Sequence, residues 1–172
     1  RQAEQLGLGH AVLCAERAVG NDPFAVLLAD DFLTDYEPGV TADLAQAFAS
    51  SGKSQLSVMK VDGSDISKYG VVVPNRAGVG IAGLVEKPDA SDAPSNLASI
   101  GRYVLTPNIF ETLRTLKAGS GGEIQLADAI NIHAQQGSVE TVLLNGRRFD
   151  CGSVRGFIAA LNHEFETRNS QS

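Results

Sequence analysis

The apolar run Phe24-Ala25-Val26-Leu27-Leu28-Ala29 stops abruptly at Asp30-Asp31. Paired carboxylates there offer hard oxygen ligands of the kind Mg²⁺ takes, one or two at a time, beside the oxygens of a substrate phosphate. Either aspartate fits a turn or a helix N-cap equally well. Further on, Val85-Glu86-Lys87-Pro88 joins opposite charges to a proline. The lysine is a point charge suited to phosphate, and the glutamate an acceptor for hydroxyl groups. A solvated charge pair is the competing reading, and on a continuous strand the two side chains face opposite ways. Gly7-Leu8-Gly9-His10 and Gly121-Gly122-Glu123 each place glycines before a helical run. Backbone N–H groups at such points come close to phosphate or carbonyl oxygens. By default, however, Glu123 complements a helix dipole and His10 is a packed or positioning residue, since no triad partner is spaced to meet it. Phe149-Asp150-Cys151-Gly152 adds a carboxylate. Cys151 lacks a neighbouring His or Lys and reads as structural, and Arg147-Arg148 reads as a solvent-facing pair.

These residues need elements to hold them. The run from Phe24 to Leu28, bounded by Asn21-Asp22-Pro23, predicts a strand buried on both faces, as in parallel sheets. Ligands of open α/β sheets bind just beyond the carboxyl ends of such strands. Further strands are predicted over Gln55 to Val61, Tyr69 to Pro74, Val79 to Glu86, Ser99 to Leu105 and Val139 to Leu144, with a turn at 75–78. Helices are predicted from Gly9 to Ala18, from Thr41 (as cap) to Ser50, from Pro107 to Leu116, from Gln125 to Gln135, and from Val154 to Arg168. This alternation implies one layered α/β domain with a mixed, mostly parallel sheet flanked by helices. The last helix carries Phe157, Ile158, Leu161 and Phe165 on one face, expected to pack on the core or, failing that, on a partner.

At 172 residues and 43% hydrophobic composition, the chain is long enough for a single substantial core. A net charge of -6 with no basic stripe excludes a nucleic-acid surface. The apolar runs fall short of a membrane span. Cys14 and Cys151 match no disulfide framework or zinc spacing, which points to a reducing compartment, the cytoplasm.

In their order along the chain, Gly7-Leu8-Gly9-His10-Ala11, Val26-Leu27-Leu28-Ala29-Asp30-Asp31, Lys68-Tyr69-Gly70-Val71-Val72, Val85-Glu86-Lys87-Pro88, Ser95-Asn96-Leu97, Gly101-Arg102-Tyr103-Val104-Leu105, Gly121-Gly122-Glu123-Ile124-Gln125-Leu126 and Asp150-Cys151-Gly152 resemble the sugar-phosphate nucleotidyltransferase family. The likeness is strongest to the branch that joins UTP to glucose 1-phosphate. It covers nearly the whole chain and implies a Rossmann-like sheet of the nucleotide-diphospho-sugar transferase type. The implied reaction transfers a uridylyl group to glucose 1-phosphate and releases pyrophosphate. The resemblance further implies that Asp30 holds Mg²⁺ with Asp150 as second contact, Asp31 being the weaker metal ligand. Lys87 would bind the sugar phosphate and Glu86 the glucose hydroxyls. Gly70 would form a wall for the sugar, with Glu123 and Asn96 nearby, and Gln5 and Gly9 would meet the nucleotide. A homo-oligomer is expected by the same likeness.

One departure stands out. The family opens with a strand and a glycine-rich loop bearing Arg and Lys that cradles the triphosphate, and no such loop occurs in these 172 residues. Gly78-Val79-Gly80 lacks basic followers. The expectation is that such a segment precedes this sequence, and that the 172 residues alone are nearly inactive. Alternatives are a related enzyme using dTTP or ATP, and a non-catalytic sugar-nucleotide-binding fragment. A Rossmann dehydrogenase is disfavoured because no G-x-G-x-x-G follows a strand.

Overall fold

The structure is a computed structural model that describes residues 1–76, 80–119 and 122–170. Its elements in order are α1 (Leu8–Leu13), α2 (Glu16–Val19), β1 (Phe24–Leu27), β2 (Asp31–Thr34), α3 (Val40–Ser51), β3 (Ser54–Lys60), a 3-10 turn (Gly63–Lys68), β4 (Gly70–Pro74), β5 (Ile81–Glu86), β6 (Leu97–Leu105), α4 (Ile109–Thr115), α5 (Leu126–Gln135), β7 (Val139–Leu143), β8 (Arg147–Asp150) and α6 (Val154–Asn169). The helix expected from Gly9 to Ala18 divides at Cys14-Ala15. Helix α3 begins one residue earlier than expected, with Gly39 and not Thr41 at its cap. Ala77, Gly78 and Val79, within the expected hairpin turn and return strand, and Gly121 lie outside the described residues.

Strands β5, β4, β6, β3 and β7 lie side by side in that order, and β1 also pairs with β6. Phe24 stands opposite Leu105 and Leu27 opposite Arg102, while β4 meets the other end of β6 at Val71 and Ala98. The mixed α/β architecture with flanking helices is as expected. The balance of strand directions is not. Among the described residues only β3 and β7 run parallel, and the other pairings are antiparallel. Strand β1 alternates half-buried and exposed residues along its length, and Leu27 is 55% exposed. An apolar run of four to six residues carries no information about the direction of its neighbour, so the parallel inference failed here.

The main core lies between the sheet and helices α1, α4 and α5, around Leu56, Val72, Leu105, Leu113, Leu126 and Ile130. Helix α3 covers a second cluster through Val40 and Leu44 against Val104. Full burial of each such aliphatic side chain stabilises by about 1.5–3 kcal/mol. Helix α5 is also tied to β5 by Asn131. Its Oδ1 accepts from Leu84 N at 2.5 Å, and its Nδ2 donates to Leu84 O at 3.1 Å.

Strands β2 and β8, which the sequence did not announce, form a separate antiparallel ribbon with Asp31 opposite Asp150. Helix α6 follows the ribbon. It leans on it through a polar seam, with Thr34 Oγ1 donating to Glu164 Oε1 at 3.0 Å and His163 Nε2 lying 2.7 Å from Asp35 Oδ1. Only Ala160 of α6 is buried. Phe157, Leu161 and Phe165 are 51%, 54% and 70% exposed. The expected packing of this stripe on the core is therefore not what the structure shows. No helix of the described residues is long and apolar enough to cross a membrane.

The ribbon and sheet meet at Gly101, where a Cβ would stand 2.6 Å from Leu28 Cβ and 2.7 Å from Asp31 Oδ2. Gly101→Ala is expected to destabilise the chain by about 1–3 kcal/mol, the usual cost of overpacking. Urea denaturation would measure it, and an unchanged midpoint would show that the turn yields freely.

Candidate active site

Asp30 sits in the tight turn between β1 and β2, where Asp31 N donates to Leu28 O at 3.3 Å. The turn is stapled by one arginine. Arg102 Nη1 donates to Leu28 O at 3.0 Å and to Gly101 O at 2.9 Å, and Nη2 donates to Asp31 O at 2.7 Å. Cys151 N donates to Asp30 O at 2.7 Å, so the chain on either side of Asp150 is fixed to the turn that carries Asp30. Both carboxylates border Gly152, whose N–H donates to Asp150 Oδ1 at 3.1 Å. Asp150 Oδ1 lies 3.2 Å and Asp30 Oδ2 3.3 Å from the point where a Gly152 Cβ would stand. These two oxygens are therefore no more than about 6.5 Å apart, with a space between them that any side chain at 152 would enter. Both side chains belong to exposed residues. Among the described residues no group of three or more His, Cys, Asp or Glu gathers as a metal site. Two carboxylates suit a cation that keeps waters and substrate phosphates as its other ligands, as Mg²⁺ does.

Asp31 has the opposite fate. It is 5% exposed, its Oδ2 accepts from Gly101 N at 2.5 Å, and its Oδ1 accepts from Arg148 Nε at 2.6 Å and pairs with Arg148 Nη2. Its lone pairs are committed to the fold. Burial alone would disfavour the Arg148 charge, but the hydrogen bond and charge of Asp31 outweigh it and hold the guanidinium above its ordinary pKa. The reading of Arg148 as solvent-facing is thereby corrected.

A cavity of about 170 Å³ opens beside this region, lined by Gly70, Glu86, Ser99, Tyr103 and Gln125 among others. That is below the 300 Å³ of a drug-sized pocket and suits one ring-sized group. Gly70 and Glu86 are partners across β4 and β5, and a Cβ at 70 would lie 3.1 Å from Glu86 Oε2. Gln125 Nε2 donates to Glu123 Oε2 at 2.7 Å, which links Glu123 to the cavity wall. Ser99 Oγ is buried and has no hydrogen-bond partner among the described residues. Burial raises the Tyr103 pKa, Ser99 partly offsets this, and the negative charges of Asp31, Glu86 and Asp30 raise it further.

Lys87 and Glu86 do not face opposite ways. The strand ends at Glu86, and Lys87 turns into the left-handed region at φ 45°, which brings its Nζ to 3.8 Å from Glu86 Oε1. Such a conformation costs a non-glycine residue of order 1 kcal/mol or more and persists where the surroundings fix it. Here Lys87 N donates to Tyr69 O at 3.0 Å. Asn96 stands apart from these groups. It lines a different cavity of about 500 Å³ with Asp62, Ser91 and Ser95, beside the small cluster that buries Ile66, Val71 and Ala98. Gly9 is buried and its N–H donates to Ile124 O at 2.8 Å, so that amide serves packing. Gln5 is exposed, next to Leu6, whose carbonyl accepts from Ile124 N at 2.8 Å. His10 rests against Gln2, with Nδ1 3.0 Å from its Nε2.

Residues 1–167 match the nucleotidyl transferase family. The chain belongs to that family. It is 42% identical over 170 residues to a UTP–glucose-1-phosphate uridylyltransferase of Pseudomonas aeruginosa, covering 96% of this chain and 61% of that protein. It is 44% identical over 161 residues to UTP–glucose-1-phosphate uridylyltransferase 2 of Staphylococcus saprophyticus, covering 92% of this chain and 55% of that protein. The chain thus spans about three fifths of the length of the curated relatives it matches. Among solved structures, a UDP-glucose pyrophosphorylase complexed with UDP-glucose superimposes with a TM-score of 0.89 at 42% identity, covering 97% of this chain and 65% of that one. A UTP-bound UDP-glucose pyrophosphorylase of Acinetobacter baumannii gives 0.84 at 39% identity, covering 95% and 58%.

Within this nucleotidyl transferase fold, sequence reasoning assigned no role to Arg102, Ser99, Tyr103 or Gln125, and misjudged Arg148. One signal was available. Arg102 interrupts the otherwise uncharged strand Leu97–Leu105, and a charge inside such a strand calls for a fixed partner. Nothing local marked Arg148, because its partner Asp31 is 117 residues away.

Proposed function

We propose that the enzyme containing this chain transfers a uridylyl group from UTP to glucose 1-phosphate, giving UDP-glucose and pyrophosphate. The observation that carries the reading is the pair Asp30 and Asp150 bordering Gly152, near a ring-sized cavity edged by Gly70 and Glu86. The relatives' names support the same substrates. The displacement at the α-phosphorus is in line and needs charge neutralisation more than a protein nucleophile. Asp30 and Asp150 would hold Mg²⁺, which when bound supplies positive charge at the phosphate oxygens. Lys87 binds the phosphate of glucose 1-phosphate and lends it positive charge. Glu86 accepts from the sugar hydroxyls, Gly70 leaves that carboxylate uncrowded, and Gln125 orients Glu123 at the cavity wall. Gln5 and Gly9 would meet the nucleotide. Asn96, on a different cavity, has no part in this arrangement.

Calorimetric titration with UDP-glucose, with and without Mg²⁺, tests the site, and pyrophosphate release from UTP and glucose 1-phosphate tests the reaction. Binding that tightens with Mg²⁺ is expected. Metal-independent binding would leave a sugar-nucleotide-binding module, and preference for dTTP or ATP would move the reading to a sister enzyme. Two free cysteines support a cytoplasmic setting. The outward apolar stripe of α6 supports a homo-oligomer. Sedimentation equilibrium should show self-association, and a monomer at every concentration would remove that part of the proposal.

A further inference from the structure

Arg148 touches two side chains, and each is next in sequence to a group assigned to the site. Its Nε and Nη2 hold Asp31 Oδ1, and Asp31 directly follows Asp30. Its Nη1 donates to Tyr69 Oη at 3.2 Å, and the guanidinium stands 5.3 Å from the centre of that ring. Tyr69 precedes Gly70, and its carbonyl takes the Lys87 N–H at 3.0 Å. Arg148 itself lies on β8 two residues before Asp150, which stands opposite Asp31. The guanidinium is largely enclosed, its side chain 14% exposed and that of Asp31 5%. A planar fork can engage a carboxylate and a phenol at fixed angles, which a flexible ammonium cannot.

We propose that Arg148 is a positioning residue that fixes the two-carboxylate seat of Asp30 and Asp150 relative to the Gly70–Lys87 wall, acting through Asp31 on one side and Tyr69 on the other. This rests on the site assignments made above. The seat sits on the β1–β2 turn and the ribbon, whereas the wall sits on β4 and β5, and β1 and β4 meet opposite ends of β6. Among the described residues, the Arg148–Tyr69 contact is the side-chain link that runs from the ribbon directly to the start of β4. A metal-bound phosphate and a sugar seated against Lys87 must be held in one geometry, and a misplacement of about 1 Å can lower the rate 10²-fold.

Tyr69→Phe is the sharpest probe, because it deletes the hydroxyl link while keeping the ring, the Lys87 bond and the Asp31–Arg148 pair. Glucose 1-phosphate affinity and KM, Mn²⁺ affinity by electron paramagnetic resonance without substrate, and the melting temperature are to be measured in parallel. Tyr69→Phe should weaken glucose 1-phosphate about tenfold, leave Mn²⁺ affinity unchanged, and barely move the melting temperature. Arg148→Lys keeps the charge but loses the fork, so it should weaken Mn²⁺ several-fold as well. If the variants lose only melting temperature and keep the wild-type affinities and KM, the pair is a structural tie and the proposal is overturned. Should Arg148→Lys fail to fold, Tyr69→Phe alone decides. If the whole wild-type enzyme containing this chain binds Mn²⁺ and glucose 1-phosphate but forms no UDP-glucose from UTP, the functional reading fails. The glucose 1-phosphate affinity of Tyr69→Phe still judges the positioning role.

Discussion

In the whole enzyme containing this chain, Asp30→Asn is expected to lower the proposed Mg²⁺-dependent UDP-glucose formation by about 10³-fold, with the fold intact. The amide keeps the shape of the side chain but removes its charge and replaces one oxygen with a donor group, so the proposed Mg²⁺ seat would retain only Asp150. Losing a preorganised group aimed at transition-state charge typically costs 10²–10³-fold, and loss of the cation itself places this variant at the upper end. Asp30 is exposed, and its backbone carbonyl, not its side chain, takes the Cys151 N–H. Stability should therefore stay within about 0.5 kcal/mol of wild type. The neighbouring Asp31→Asn makes the contrast. It weakens a buried ion pair with Arg148 and should cost stability first, since a buried charge left poorly paired is destabilising by several kcal/mol. Product formation, Mn²⁺ binding and urea midpoints on the two variants would separate metal ligand from structural acid. Asp30→Asn with more than a tenth of wild-type activity would remove Asp30 from the seat.

The second large effect concerns Lys87. Lys87→Ala should reduce kcat/KM for glucose 1-phosphate by about 10²-fold, the scale for loss of one charged contact to a reacting phosphate. The left-handed backbone at this position complicates the reading of alanine, because strain and charge change together. Lys87→Gly resolves this. Glycine adopts φ 45° without the Cβ penalty, so it should fold at least as stably as wild type while losing as much activity as alanine. Steady-state kinetics with glucose 1-phosphate as the varied substrate, beside thermal unfolding, checks both halves. If Lys87→Gly keeps wild-type kcat/KM, the Lys87 ammonium does not meet the phosphate.

Much of this arrangement was legible in the chain itself, for reasons that are local. Helices α3, α4, α5 and α6 and strands β3, β4 and β6 fell within a few residues of their expected bounds, since hydrophobic periodicity and proline or glycine punctuation act over three to seven residues. Glu86 and Asp30 were singled out from strand ends, where an α/β sheet offers its ligand groups, and Gly70 by resemblance alone. Asp30 and Asp150, 120 residues apart in the sequence, could be paired only by resemblance. The β2–β8 ribbon that joins them has only four residues per strand, too few for a period to declare itself.

The amino-acid sequence by itself determined the α/β class, the family likeness, and which acids and lysine end their strands, because apolar patterning and residue type are properties of neighbours along the chain. Tertiary structure alone decided the rest. It set the antiparallel majority of the sheet, the burial of Asp31 beside an exposed Asp30, the turn that swings Lys87 back to Glu86, and the outward stripe of α6. Strand direction and charge pairing depend on partners more than 100 residues away. A lone aspartate or arginine carries no mark of whether the fold will surround it with water or with its counter-ion.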